Sequence, residues 1–141
     1  MEADSLRHFK ENSRKCFRFL IDEFQFLENP SPKDSHNQYE VIYFRNDLMV
    51  GIRGEGYGSI ASVYFRYQGK REVPLQFLFP GWEPLLRKKK IKKELVSQDE
   101  QIRIASEQMK ANCADILNGD MTRYLEVFNR WESICQKMGY K

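Results

Sequence analysis

Few side chains in this chain have types suited to catalysis, and their spacing narrows the field further. Its two histidines are His8, beside the apolar Phe9, and His36, in a polar stretch between Ser35 and Asn37. Both read as surface residues, and neither belongs to the paired-histidine motif of a zinc hydrolase. Cys16 follows His8 by eight residues, which on a helix is about 12 Å along the axis. That is too far for an imidazole to take the proton of a thiol directly. Cys16, Cys113 and Cys135 are widely separated and each sits in a helical pattern. They read as free thiols in a reducing compartment and lack metal-ligand spacing.

Among the carboxylates, Asp22, Glu23, Glu40, Asp47, Glu55 and Glu72 are the candidates for acid/base work. A general acid/base pair needs two of them across a cleft at a defined separation, and the sequence singles out no pair. Glu55, between Gly54 and Gly56 and close to Tyr57, is the most conspicuous. The glycines at 54, 56 and 58 lack the lysine and hydroxyl residue of a phosphate-cradling loop. They also lead into a strand where a dinucleotide fingerprint opens a helix. No catalytic residue, metal or cofactor is expected, and the chain reads as a non-enzyme.

The largest charge anomaly is the run Arg87, Lys88, Lys89, Lys90, Lys92 and Lys93, broken only by Ile91. Outside it the chain carries 17 basic and 20 acidic residues, so the formal net charge of +3 is entirely local. Such a cluster attracts phosphates or acidic surfaces even at low net charge. It holds one arginine and no zinc-finger, recognition-helix or glycine-clamp signature. A solvated face, an acidic protein partner and a weak, sequence-independent nucleic-acid contact are the competing readings. A membrane anchor is disfavoured, because no aromatic residues interleave with the lysines.

These groups need elements to position them. Leu6, Phe9, Cys16, Phe17, Leu20, Phe24 and Leu27 recur at helical spacing, which predicts one helix over about 5–27, stopped by Asn29-Pro30-Ser31-Pro32. Tyr39 to Phe44 is aromatic and β-branched, and Asn46-Asp47 separates it from the alternating Leu48, Val50 and Ile52, as in a hairpin. Arg53 to Gly58 reads as a flexible turn. A third strand runs from about Ser59 to Tyr67, and Leu75, Phe77 and Phe79 alternate in a fourth, beginning at or after the edge-tolerant Pro74.

Ser97 with Glu100 three residues on forms a capping box, so a helix begins near 98 and runs to Asn118-Gly119. Asp120 caps a last helix that Gly139 ends, with Met121, Tyr124, Leu125, Phe128, Trp131, Cys135 and Met138 as its apolar face. The fold class expected is α+β: a four-stranded antiparallel sheet with an N-terminal helix and two C-terminal helices packed on one face. With 141 residues, 41% of them apolar and 30% charged, residues 1–141 fit a single globular domain.

In the third strand Ala61, Val63, Phe65 and Tyr67 share an apolar face, and Ile60, Ser62, Tyr64 and Arg66 share a mixed one. Tyrosine and arginine are favoured at protein interfaces. Arg53, Glu55, Tyr57, Tyr64 and Arg66 are therefore the candidate partner-binding residues, with 87–93 as an anion-binding candidate. The N-terminus has no apolar leader, and no window is long and apolar enough to cross a bilayer. A cytoplasmic location follows as an expectation.

The order of a leading helix, "YEVIYFRNDLMVGI" (39–52), a further hairpin and "ADILNGDMTRYLEVFNRW" (114–131) resembles small bacterial proteins akin to the immunity proteins of polymorphic-toxin systems. The resemblance covers most of the chain and is architectural. It implies a protein that binds and neutralises a partner without catalysis, and it transfers no binding residue.

Overall fold

A computed structural model describes residues 4–29, 39–55, 60–79 and 97–139, with the side chains of Asp4 and Glu55 outside that description. Helix α1 (Asp4–Cys16) buries Leu6, Phe9 and Ser13, three or four residues apart, on one side. The expected single helix breaks after Cys16 and resumes as α2 (Phe19–Phe24). Phe17, Phe19 and Leu20 are all buried, which one straight stripe cannot arrange, and at the break the Phe17 and Phe19 rings stack at 6.0 Å. The chain leaves α2 through Gln25 in the left-handed region (φ 59°), well before the prolines. It then enters a short strand, β1 (Leu27–Glu28).

β1 is the first strand of an antiparallel meander completed by β2 (Glu40–Arg45), β3 (Leu48–Glu55), β4 (Ile60–Tyr67) and β5 (Val73–Pro74). Asn46 turns the β2–β3 hairpin at φ 52°, a conformation asparagine tolerates better than most residues, and sets Arg45 opposite Leu48. Val41, Tyr43, Val50, Ile52, Val63 and Phe65 lie on one face and form the core with Phe9 of α1. Onto that core come α3 (Gln98–Asn112) through Ile102 and Met109, α4 (Ala114–Leu117) through Ile116 and Leu117, and α5 (Thr122–Lys137) through Tyr124 and Val127. Each fully buried aliphatic or phenyl side chain contributes about 1.5–3 kcal/mol by leaving water.

The expected four-stranded sheet with three helices is thus corrected, among the described residues, to five strands and a more divided set of helices. Leu75, Phe77 and Phe79 do not form a strand. Residues Leu75–Leu78 wind into a 3-10 turn, which places Leu75 and Leu78, three apart, on one buried side. Phe77 packs instead on Trp131, with ring centroids 4.4 Å apart. The strand there is Val73–Pro74, where proline is tolerated because β5 is an edge. The expected helix over 98–117 breaks at the buried Cys113, which separates α3 from α4.

The capping box forms, with Ser97 Oγ accepting the Glu100 N–H at 3.2 Å. Asp120 Oδ1 accepts the Thr122 N–H at the start of α5, and Gly119 supplies φ 98° between α4 and α5. Leu125 and Met138, expected on the apolar side of α5, are 43% and 62% exposed, whereas Val127 is buried. Gly54 is not part of a turn but a member of β3. A Cβ there would lie 2.9 Å from Gln98 Nε2 and 3.1 Å from the Phe9 ring, so this glycine lets α1 and α3 approach the sheet.

Candidate functional site

The hairpin register carries three rows of side chains across the face of the sheet turned away from the helices. Glu40, Arg53 and Ser62 form one row; Ile42, Gly51, Tyr64 and Pro74 the next; Phe44, Met49 and Arg66 the third. Glu72, the residue before β5, is bonded to Arg66 at the end of this last row. Arg53, Tyr64 and Arg66, three of the residues singled out from sequence, are thereby gathered with two carboxylates, Glu40 and Glu72.

The gathering is tightly bonded. Arg53 donates from Nε to Glu40 Oε2 at 3.0 Å and from both terminal nitrogens to Glu72 Oε1 and Oε2 at 3.3 and 2.8 Å. Arg66 adds a 2.8 Å bond to Glu72 Oε2, and the Tyr64 hydroxyl donates to Glu40 Oε2 at 2.8 Å. The Arg53 guanidinium also sits over the Tyr64 ring, 4.7 Å from its centroid. Burial alone would raise the Glu72 carboxyl, but hydrogen bonds and charge from Arg53 and then Arg66 outweigh it and hold Glu72 below the usual carboxylate range. The Arg53 guanidinium is raised, first by its hydrogen bond to Glu72. Burial, then the bond to Glu40, pushes the Tyr64 hydroxyl well above its ordinary value.

Tyr64 is 5% exposed, so its role in this assembly is to hold Glu40 and Arg53 in place. The more open groups are the side chains of Arg66, at 38%, and Arg53, at 27%. On the same face Leu27 and Phe44, directly opposite each other across β1 and β2, are 61% and 37% exposed. Tyr57 and the basic residues 87–93 lie outside the described residues, as does His36. Glu55 is described only through its backbone, which pairs with Ile60.

No protein-family model, curated protein or solved structure matches the chain. The chemistry of the site therefore rests on its own geometry. Two guanidinium groups and two carboxylates neutralise one another around a tyrosine, an arrangement that orients donors and does not expose a nucleophile. Elsewhere, His8 Nε2 lies 2.6 Å from Asp99 Oδ2, with both side chains exposed. The half-buried Cys16 thiol is 3.8 Å from Asn12 Oδ1, and burial raises its pKa above the ordinary value. Cys113 and Cys135 are buried free thiols, and burial pushes Cys113 up to about 11. Among the described residues no group of three or more His, Cys, Asp or Glu is placed to hold a metal ion, and no helix is long and apolar enough to cross a membrane.

The partners Glu40 and Glu72 were visible in the sequence only as unconnected carboxylates. One of them had a usable signal. A two-residue loop at Asn46-Asp47 puts Glu40 opposite Arg53 once the strands are counted back from it. Glu72 had none, because it follows a turn whose register comes from a two-residue strand.

Proposed function

We propose that this chain is a non-enzymatic protein-interaction domain that recognises its partner through the sheet face bearing Arg53, Tyr64 and Arg66. In line with the architectural resemblance, the partner is a protein that this domain binds and neutralises, as an immunity protein does. The observation that carries the reading is the Glu40–Arg53–Tyr64–Glu72–Arg66 network. A guanidinium already locked by its neighbours loses less side-chain freedom on binding, so more of the contact energy appears as affinity. The adjoining exposed pair Leu27 and Phe44 adds apolar area beside the charges. Glu72, held ionised by two arginines, is poorly suited to accept a proton, which favours binding over acid/base work. The free thiols fit a reducing compartment, and the cytoplasm is the proposed location.

Co-purification from the native host tests this reading. A stoichiometric protein partner whose retention falls on Arg66→Ala is the expected result. Recovery of no partner, or of one held equally well by Arg66→Ala and Phe44→Ala variants, overturns it.

A second reading rests on the six cations at 87–93, against an excess of acidic residues elsewhere. It assigns that run a weak, sequence-independent contact with nucleic acid. Binding would then fall steeply with salt and disappear when Lys88, Lys89 and Lys90 are neutralised. Salt-independent binding, or none, removes it.

A further inference from the structure

Beside the sheet face, residues of the β4–β5 turn and of α5 line an open groove of about 1000 Å³. Arg66 and Glu72 belong both to this groove and to the charged network. Its apolar wall is Phe128 and Trp131, and Trp131 is fixed twice over. The indole N–H donates to the Glu72 carbonyl at 2.7 Å, and the ring packs on Phe77. The rim is set by a turn in which Gln68 (φ 54°) and Gly69 (φ 68°) are both left-handed and the Lys70 N–H returns to Tyr67 O.

The polar groups of the groove are unevenly used. Glu72 takes three hydrogen bonds from Arg53 and Arg66, and Glu132 is paired with Arg71 at 3.4 Å, so both carboxylates are engaged. Of the cations, Arg71 is engaged by Glu132, whereas Lys70 and Arg66 keep donors to spare. The exposed Lys70 ammonium makes no hydrogen bond or ion pair with the described residues. Arg66 spends a single terminal nitrogen on Glu72, and its Nε is shut away from solvent without an acceptor. What remains to be complemented is therefore positive charge beside a rigid aromatic wall.

We propose that this groove takes an acidic segment of a partner protein, with a carboxylate against Lys70 and Arg66 and a neighbouring apolar side chain against Trp131 and Phe128. The proposal rests on the interaction reading above and names the chemistry of the partner. Three cations and two anions line the groove, so it suits one or two carboxylates. A continuous phosphate backbone would meet Glu72 and Glu132, which disfavours nucleic acid as the occupant.

The test uses the full chain and a synthetic peptide of alternating Glu and Leu, with its Lys/Leu counterpart and a single-stranded oligonucleotide as controls. The readout is the indole N–H resonance of Trp131, assigned against Trp82 with a Trp82→Phe variant. The acidic peptide is expected to shift the Trp131 signal, and Lys70→Glu to weaken binding about five- to tenfold. An unshifted Trp131, equal binding by Lys70→Glu, or preference for the Lys/Leu peptide or the oligonucleotide overturns the proposal. A native partner kept by Lys70→Glu but lost by Arg66→Ala would end the groove assignment and leave the sheet-face reading standing. Absence of any native partner would end both.

Discussion

The Tyr64 ring lies across Gly51 so closely that a Cβ at position 51 would sit 2.1 Å from Tyr64 Cζ. Glycine in a strand interior normally weakens the sheet, because it has the most backbone freedom to lose and no side chain to pack. Here the missing side chain is what lets Tyr64 lie flat, reach Glu40 with its hydroxyl and present its ring to Arg53.

Gly51→Ala should therefore destabilise the fold by about 1–3 kcal/mol, because Tyr64 must leave its place. In a Tyr64→Ala background the same change should be nearly free or slightly stabilising. Urea unfolding of the four proteins in the cycle checks this coupling, and additive effects would show that the stacking is not what requires glycine.

Glu72 connects folding to acid. Its carboxyl is held below the ordinary 4.5, so its stabilisation is fully present above that value and is lost as pH falls through the lower, folded pKa. Glu72→Gln should lower stability at neutral pH and flatten that part of the acid-unfolding profile. An acid profile unchanged by the substitution would count against the paired geometry.

His8 connects folding to the neutral range with the opposite sign. The hydrogen bond to Asp99, then the Asp99 charge, raises the imidazole above 6.5. The link between α1 and α3 is thus complete below 6.5 and fades as pH rises through the folded pKa. Titration of the His8 ring signals should give a raised midpoint that returns toward 6.5 in Asp99→Asn, and a midpoint unmoved by that substitution would count against the pair.

Arg123 ties the junction of α3 and α4 to the distant 3-10 turn ending at Leu78. It makes a two-pronged pair with Asp115 at 2.9 and 3.1 Å and donates to the carbonyls of Leu78 and Asn112. Arg123→Ala should cost about 2–4 kcal/mol by leaving those acceptors short of a donor. Arg123→Lys should recover little, since an ammonium cannot span the same acceptors. Denaturant midpoints for the two variants are the measurement.

Local rules made several features legible in advance. Alternation assigned Val63 and Phe65 to the core face and Tyr64 and Arg66 to the other, because the side-chain period of a strand is two whatever lies nearby. The Ser97–Glu100 cap and the turns at Asn46 and Gly119 are likewise set by a few adjacent residues. Where several conformations served the same residues, local pattern was insufficient. Leu75, Phe77, Leu78 and Phe79 suit a strand by alternation and a 3-10 turn by the 75/78 spacing, and the surface offered by Trp131 and the core decided between them. β1 and β5, two residues each, are too short to show any period.

By itself, the sequence determined an α+β chain, the partition of its longer strands into an apolar and a mixed face, and a basic run concentrated at 87–93. Hairpin counting from Asn46-Asp47 reaches Glu40 as one partner of Arg53, but only tertiary structure decided the other. Glu72 lies 19 residues after Arg53, and Trp131 is 59 residues from the Glu72 carbonyl it binds. The physical reason is reach. Caps, turns and alternation act within a few bonds along the chain, whereas an ion pair forms only where folding of the core has already brought distant strands side by side.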